Sequence, residues 1–184
     1  MALSPDGKWA RAHDPVQTSR LWLLPTSAGS PRSIDFPGLG PAGDISQFFG
    51  DGKRVALLVT EGSNLRAYVA DLETGQAQVV TPQLECCALQ LSPDDQFLAA
   101  VARDGGTTAF AVDGGPPRAF QELRPDDFPV GWSRRGLLVS TGWRLGLYGE
   151  PPISVFRVDV DKGTRQLLYL FEFQPDVREP ARLK

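Results

Sequence analysis

Ser4-Pro5-Asp6-Gly7-Lys8-Trp9 returns further along the chain as Phe49-Gly50-Asp51-Gly52-Lys53-Arg54 and as Ser92-Pro93-Asp94-Asp95-Gln96-Phe97. A fourth, degraded copy is Ser133-Arg134-Arg135-Gly136-Leu137. The copies start at 4, 49, 92 and 133, spaced by 45, 43 and 41 residues. Each reads as a hairpin turn. Proline presets φ for the first turn position, Asp suits the second, and Gly takes the left-handed conformation that a type I turn with a G1 bulge requires. Asp95 is a tolerated substitute for that glycine. The fourth copy keeps only Gly136 in the role.

A second signature runs in step with the first. Leu21-Trp22-Leu23-Leu24-Pro25 leads to Gly29, and Tyr68-Val69-Ala70-Asp71 leads to Gly75. Phe110-Ala111-Val112-Asp113 then leads to Gly114-Gly115, and Phe156-Arg157-Val158-Asp159 to Gly163. Positions 25, 71, 113 and 159 are spaced by 46, 42 and 46 residues. Between the turns lie short apolar runs, Val55-Ala56-Leu57-Leu58-Val59, Phe97-Leu98-Ala99-Ala100-Val101 and Gly136-Leu137-Leu138-Val139-Ser140. Such runs suit strands covered on both faces. Trp9-Ala10-Arg11-Ala12-His13 is interrupted by charge, which predicts a less well buried first unit. No stretch carries helical periodicity with caps.

Four strands in every repeat of about 40–45 residues make the blade of a β-propeller. An immunoglobulin-like sandwich would not repeat one sequence in register, and a solenoid would use a shorter period. The expected fold is therefore all-β, a partial or short propeller of about four four-stranded blades. The blades are expected at 1–43, 44–85, 86–127 and 128–173, with 174–184 as a C-terminal tail.

Bulk properties agree. The 184 residues include 19 Gly and 16 Pro, in keeping with many tight turns, and 41% hydrophobic with 22% charged residues is the balance of a folded domain. The net charge is −3, with 15 Arg and 4 Lys scattered along the chain, so nucleic acid is not an expected partner. Arg134-Arg135 and the group Arg178, Arg182, Lys184 read as a solvated turn and a solvated tail. No apolar stretch approaches the roughly 18–20 residues of a bilayer span, so direct membrane insertion is not expected. Met1-Ala2-Leu3-Ser4-Pro5-Asp6 does not read as a signal peptide.

Candidate chemistry is sparse. Cys86 and Cys87 are adjacent, which does not suit a disulfide, and with one distant histidine, His13, they do not make a zinc site. Gly131-Trp132-Ser133-Arg134-Arg135 approaches a nucleophile elbow but lacks its final Gly and falls where a blade turn belongs. Asp94-Asp95, Asp126-Asp127 and Asp159-Val160-Asp161 lack the spacing of a calcium loop and read as turn residues. Gly38-Leu39-Gly40 lacks the third Gly of a phosphate cradle. Trp22, Trp132 and Trp143 suit blade cores or the rim. No catalytic residue, cofactor or metal ligand is assigned, and ligand-binding residues stay unassigned.

The two signatures together resemble the TolB-type, WD40-like (PD40) propeller repeat over residues 2–171, with copies one to three matching well and copy four poorly. Leu21-Trp22-Leu23-Leu24-Pro25 and Asp113-Gly114-Gly115-Pro116-Pro117-Arg118 most resemble the C-terminal propeller region of bacterial serine/threonine kinases. That resemblance implies a non-catalytic interaction or sensor module in a larger signalling protein, binding a protein, peptide or small ligand. It also implies an extracytoplasmic or periplasmic setting. No kinase motif is present in these residues. The same repeat class forms the N-terminal propellers of prolyl-oligopeptidase-like peptidases, so an accessory propeller for an absent catalytic domain is the alternative. A truncated product without independent function is a third reading. TolB-like propellers have six or more blades, Met1-Ala2-Leu3 is short for an inner strand, and Gln174 to Lys184 offers no closing strand. A fragment of a larger ring, a closed four-bladed ring and self-association of two chains through open blade edges are accordingly the alternatives.

Overall fold

The computed structural model describes residues 2–13, 19–120, 122–141, 152–159 and 161–172. Among them are sixteen β-strands and no helix, falling into four consecutive sets. The first holds β1 (Ala2–Leu3), β2 (Trp9–His13), β3 (Arg20–Pro25) and β4 (Arg32–Asp35). The second holds β5 (Ala42–Phe48), β6 (Arg54–Glu61), β7 (Asn64–Asp71) and β8 (Ala77–Val79). The third holds β9 (Leu84–Leu91), β10 (Phe97–Ala102), β11 (Thr107–Ala111) and β12 (Arg118–Ala119). The fourth holds β13 (Phe128–Ser133), β14 (Gly136–Thr141), β15 (Ile153–Asp159) and β16 (Thr164–Phe171).

Each set is an antiparallel meander. The second and third sets share one eight-stranded hydrogen-bonded sheet, because Leu84 at the start of β9 pairs with Leu65 of β7 as well as with Ala102 of β10. The first strands of successive sets lie side by side, β1 against β5, β5 against β9 and β9 against β13, so they mark the hub. No comparable packing joins β13 back to β1 among the described residues. The described residues form a partial β-propeller whose arc is open.

The second strand of each set holds the arc together, because the pleat sends alternate side chains to opposite faces. In β6, Val55, Leu57 and Val59 pack with Leu21, Leu23, Ile34 and Phe36 of the first set. Ala56 and Leu58 point the other way and pack with Leu89, Leu98, Ala100 and Phe110 of the third. In β10, Ala99 turns to Leu137, Val139 and Val158 of the fourth set, and Val101 packs with Ala88 and half-buried Phe128. Arg11 of β2 is buried despite its charge, while Trp9 and Ala12 stay half-buried, against unbroken buried runs of five residues in β6 and four in β10.

The two end faces have no such neighbour among the described residues. Opposite partners in an antiparallel pair share a face, so Leu3, Ala10 and Leu24 lie together, as do Ala12 and Trp22, on the side of the first set turned away from the second. At the other end, Leu138, Ser140, Val155, Tyr169 and Phe171 share the side of the fourth set turned away from the third. Leu3 is 60% exposed, Tyr169 65% and Phe171 55%, and the two aromatic rings stack at 6.0 Å.

The turns follow the sequence reading in three copies. Gly7, Gly52 and Asp95 have φ of 70°, 67° and 61°, and Gly75, Gly114 and Gly163 have 71°, 82° and 62°. The fourth copy departs from it. Ser133 pairs directly with Gly136 across Arg134-Arg135, and Gly136 heads β14 with φ of 133°. A Cβ there would stand 2.3 Å from the Val158 carbonyl oxygen, so this glycine admits the end of β15 instead of closing a G1-bulged turn.

The turn carboxylates are satisfied locally. Asp6 accepts from the Ser4 hydroxyl at 2.7 Å and Asp94 from the Ser92 hydroxyl at 2.6 Å. Asp71 accepts the Thr74 backbone N–H at 2.7 Å, and Asp159 the Lys162 backbone N–H at 3.0 Å. These donors hold all four carboxyls below the usual carboxylate range. A carboxyl whose pKa is lower folded than unfolded contributes stability above the unfolded value of about 3.9, and that contribution is lost as pH falls through the folded value. The melting temperature is therefore expected to hold steady from neutrality to about pH 4 and to fall below it. Melts unchanged down to pH 2.5, about a unit and a half lower, would show that the turns add nothing measurable.

Candidate functional site

The turns after the first strands line one end of the hub, and two of them are latched. The Gly50 N–H donates to Asp95 Oδ2 at 2.8 Å, joining the turn of the third set to that of the second. Behind it the Gln47 side chain crosses the same junction, donating to the Leu89 carbonyl at 3.2 Å and accepting the Leu91 N–H at 2.7 Å.

The next junction lacks the latch. Ser92 and Phe97 pair around four turn residues, whereas Ser133 and Gly136 pair around two; the shorter turn has no aspartate to send across, and Pro93, in the place of Gly50, has no N–H to offer one. No hydrogen bond joins the two turns among the described residues. A cleft of about 590 Å³ opens there, between Ser92, Pro93, Asp94 and Phe97 on one side and Trp132, Ser133, Arg134 and Arg135 on the other. Arg118, Asp159, Asp161 and Lys162 complete its wall. The cleft between the first and second sets, lined by Trp9, Leu23, Phe48 and Lys53 among others, measures about 290 Å³.

The floor is aromatic. Trp132 stands edge-on to buried Phe120 with centroids 5.9 Å apart, and Phe97 is half-buried beside it. The acids of the wall are engaged. Asp94 and Asp159 are held by their turns as described, and Asp161 meets Arg118 at 3.4 Å. Lys162 Nζ lies 3.7 Å from Asp159. Arg134 and Arg135 are exposed, and neither side chain meets a carboxylate among the described residues. The sequence reading placed them in a solvated turn; the structure places that turn at the mouth of the cleft. The Ser133 hydroxyl donates to the Gly136 carbonyl at 3.1 Å and accepts the Arg135 N–H at 3.2 Å, a turn role in keeping with the missing elbow glycine.

A buried ion pair supports the junction from outside. Asp127, 2% exposed, accepts from both terminal nitrogens of Arg165 in β16, one at 2.8 Å, and from the Arg124 N–H at 2.8 Å. The Thr107 hydroxyl donates to the Asp127 carbonyl at 2.7 Å, and the Arg165 guanidinium lies 3.8 Å from the Phe156 ring centroid. Turn chemistry alone accounted for Asp126-Asp127 in the sequence. The turn explains the Arg124 contact, but the partner that matters is 38 residues away, so no local pattern announced it. At the first junction Arg32 donates to the Leu72 carbonyl at 2.7 Å, so there too an arginine of a fourth strand reaches the turn of the next set, as Arg118 does.

The other singled-out residues lie apart from the cleft or outside the description. Trp22 is half-buried on β3. Cys86 and Cys87 lie in β9 and His13 ends β2, with side chains outside the described residues; Trp143, Arg178, Arg182 and Lys184 also lie outside them. Among the described residues no three His, Cys, Asp or Glu side chains gather as metal ligands.

Comparison with known proteins bears on the fold. No protein-family model and no curated protein matches the chain. Among solved structures it is similar to a putative TolB from Agrobacterium tumefaciens, with a TM-score of 0.71 and 18% identity over 91% of this chain and 60% of that one. It is similar to the β-propeller domain of the Trilobed protease from Pyrococcus furiosus, described as having an open velcro topology, with a TM-score of 0.55 and 17% identity over 88% of this chain and 52% of that one. A chain of a nidogen/laminin complex matches with a TM-score of 0.63 and 12% identity over 92% of this chain and 61% of that one. The chain has a TolB-like propeller fold and spans 60% of the putative TolB.

Removing one partner of the Asp127–Arg165 pair leaves a buried charge uncompensated. Asp127→Ala is expected to lower unfolding stability in urea by about 3–5 kcal/mol, and the apolar double variant D127L/R165M by less than that. A loss under about 1 kcal/mol in D127A would place the pair among weak surface contacts.

Proposed function

We propose that this chain is a non-catalytic propeller module of a larger bacterial signalling protein, such as a serine/threonine kinase, and that it binds a protein or peptide between its third and fourth blades. Its blades are the four strand sets, at about 1–43, 44–85, 86–127 and 128–173, except that β5 and β9 begin two residues earlier, at Ala42 and Leu84; 174–184 is assigned as a tail. The observation that carries this reading is the cleft of about 590 Å³ at the unlatched junction, about twice the volume of the one between the first and second sets. The turns of those two sets are joined by no hydrogen bond either among the described residues. A concave site with an aromatic floor and a few polar groups at its mouth is the usual form of a binding cleft. The kinase setting rests on the sequence resemblance.

The test closes the cleft. Grafting the third copy's turn residues Pro93–Gln96 in place of Arg134-Arg135 restores the long turn and supplies an aspartate, and Pro93→Gly in the third turn supplies the N–H for it to accept, as Gly50 does at the latched junction. With the parent chain, amide resonances that shift on titration with a fragment library are expected to cluster at residues 92–97, 132–136 and 159–162. The grafted variant is expected to lose those shifts while melting no lower. Shifts gathered instead at the hub strands, or none, would remove the cleft from the proposal.

The two apolar end faces support a role inside a larger assembly, since each offers one half of the interface that joins the internal blades. Light scattering is expected to find the chain self-associated, and Y169D/F171D to reduce the mass. A parent chain that is monomeric and melts cooperatively would show that the end faces need no cover.

A second reading is favoured by the likeness to the Pyrococcus furiosus protease propeller: an accessory propeller of a prolyl-oligopeptidase-like peptidase. Coding sequence beside this segment discriminates between the two, by a hydrolase elbow or by kinase motifs.

A further inference from the structure

Arg134 and Arg135 sit badly as structural residues. Two like charges occupy a two-residue turn, and among the described residues no carboxylate meets either side chain. The equivalent turns of the first and third copies carry a self-satisfied aspartate instead. The cleft they border holds four basic side chains, Arg118, Arg134, Arg135 and Lys162, against three acids, Asp94, Asp159 and Asp161. Each acid already has a donor or cation of its own. A local positive excess therefore stands at the mouth of a cleft in a protein of net charge −3.

Resting on the reading above, we infer that the ligand is an extended peptide segment with a carboxylate for Arg134 and Arg135 and an apolar side chain for the floor made by Trp132 and Phe97. A guanidinium offers a planar fork that fits a carboxylate through two parallel hydrogen bonds. The carboxylate comes from an Asp or Glu side chain or from a chain terminus; the site chemistry is the same. A polyphosphate backbone fits less well, because its repeated charge meets Asp94, Asp159 and Asp161 along the wall. A segment with one acid between neutral residues avoids them.

Panning a random heptapeptide phage library on the immobilised full chain tests this. Enriched peptides are expected to share an acidic residue or a free terminal carboxylate beside a large apolar one. Their synthetic forms, followed by fluorescence anisotropy, are expected to bind R134E/R135E at least about tenfold more weakly. R134K/R135K, which keeps the charge and loses the fork, is expected to fall between. A peptide with Lys in place of its acid is expected to regain binding to R134E/R135E. Both variants are expected to melt with the parent, which separates a lost ligand contact from a lost fold. Enriched peptides without a carboxylate requirement, or equal binding by R134E/R135E, would overturn the inference. If such peptides still shift the cleft amides, the binding module stands with another ligand chemistry. A library that enriches nothing overturns the peptide inference, and the amide mapping then decides the module by itself.

Discussion

Leu57 and Leu58 are neighbours in β6 and belong to different cores. The first is buried against the blade before it and the second against the blade after it. The same division runs through Leu98 and Ala99 of β10. A middle strand with two apolar faces cannot be covered by its own hairpins, because a four-stranded meander is one layer thick. Burial of each blade thus depends on its neighbours, as in other stacked repeats. The rest of the molecule follows from this dependence: the hub of side-by-side first strands, the arginines that reach into the next blade's turn, and the apolar faces at either end.

The polar contacts refine the stacking and do not drive it. Gln47 and Asp95 set how closely the second and third blades approach at the hub, and among the described residues their hydrogen bonds have no counterpart between the third and fourth. There the shortened turn carries Arg134 and Arg135, and closure moves outward to Asp127 and Arg165. The blades are clamped at the outer strand and apart at the turn, which is how a cleft forms without loss of the apolar interface. The feature that weakens the fourth copy as a repeat is the one that makes it different as a surface.

Much of the fold was legible because turn chemistry and strand patterning are local. The left-handed positions at Gly7, Gly52 and Asp95, the second signature ending at Gly75, Gly114 and Gly163, and four strands per repeat all follow from short windows of residues. Gly136 was misread for the same reason. Its neighbours mark a turn, but the contact that requires glycine is the Val158 carbonyl of a strand 22 residues away in the chain. Arg11 breaks the apolar run of β2, which is less continuously buried than β6 and β10, and a run of five residues held nothing to show that Arg11 itself is buried.

The amino-acid sequence by itself determined the repeat, the all-β class and the character of each turn, since these depend on residues close together in the chain. The tertiary structure decided which turns latch to one another, which carboxylate is buried on which arginine, and which faces stay open. Those outcomes depend on distances between blades, set by side chains 38 to 45 residues apart, and no short window contains both partners. Arg134 and Arg135 were visible as a charged pair from the start. Their place at the mouth of a cleft followed from the two residues missing from their own turn and from the aspartate that does not cross to meet it.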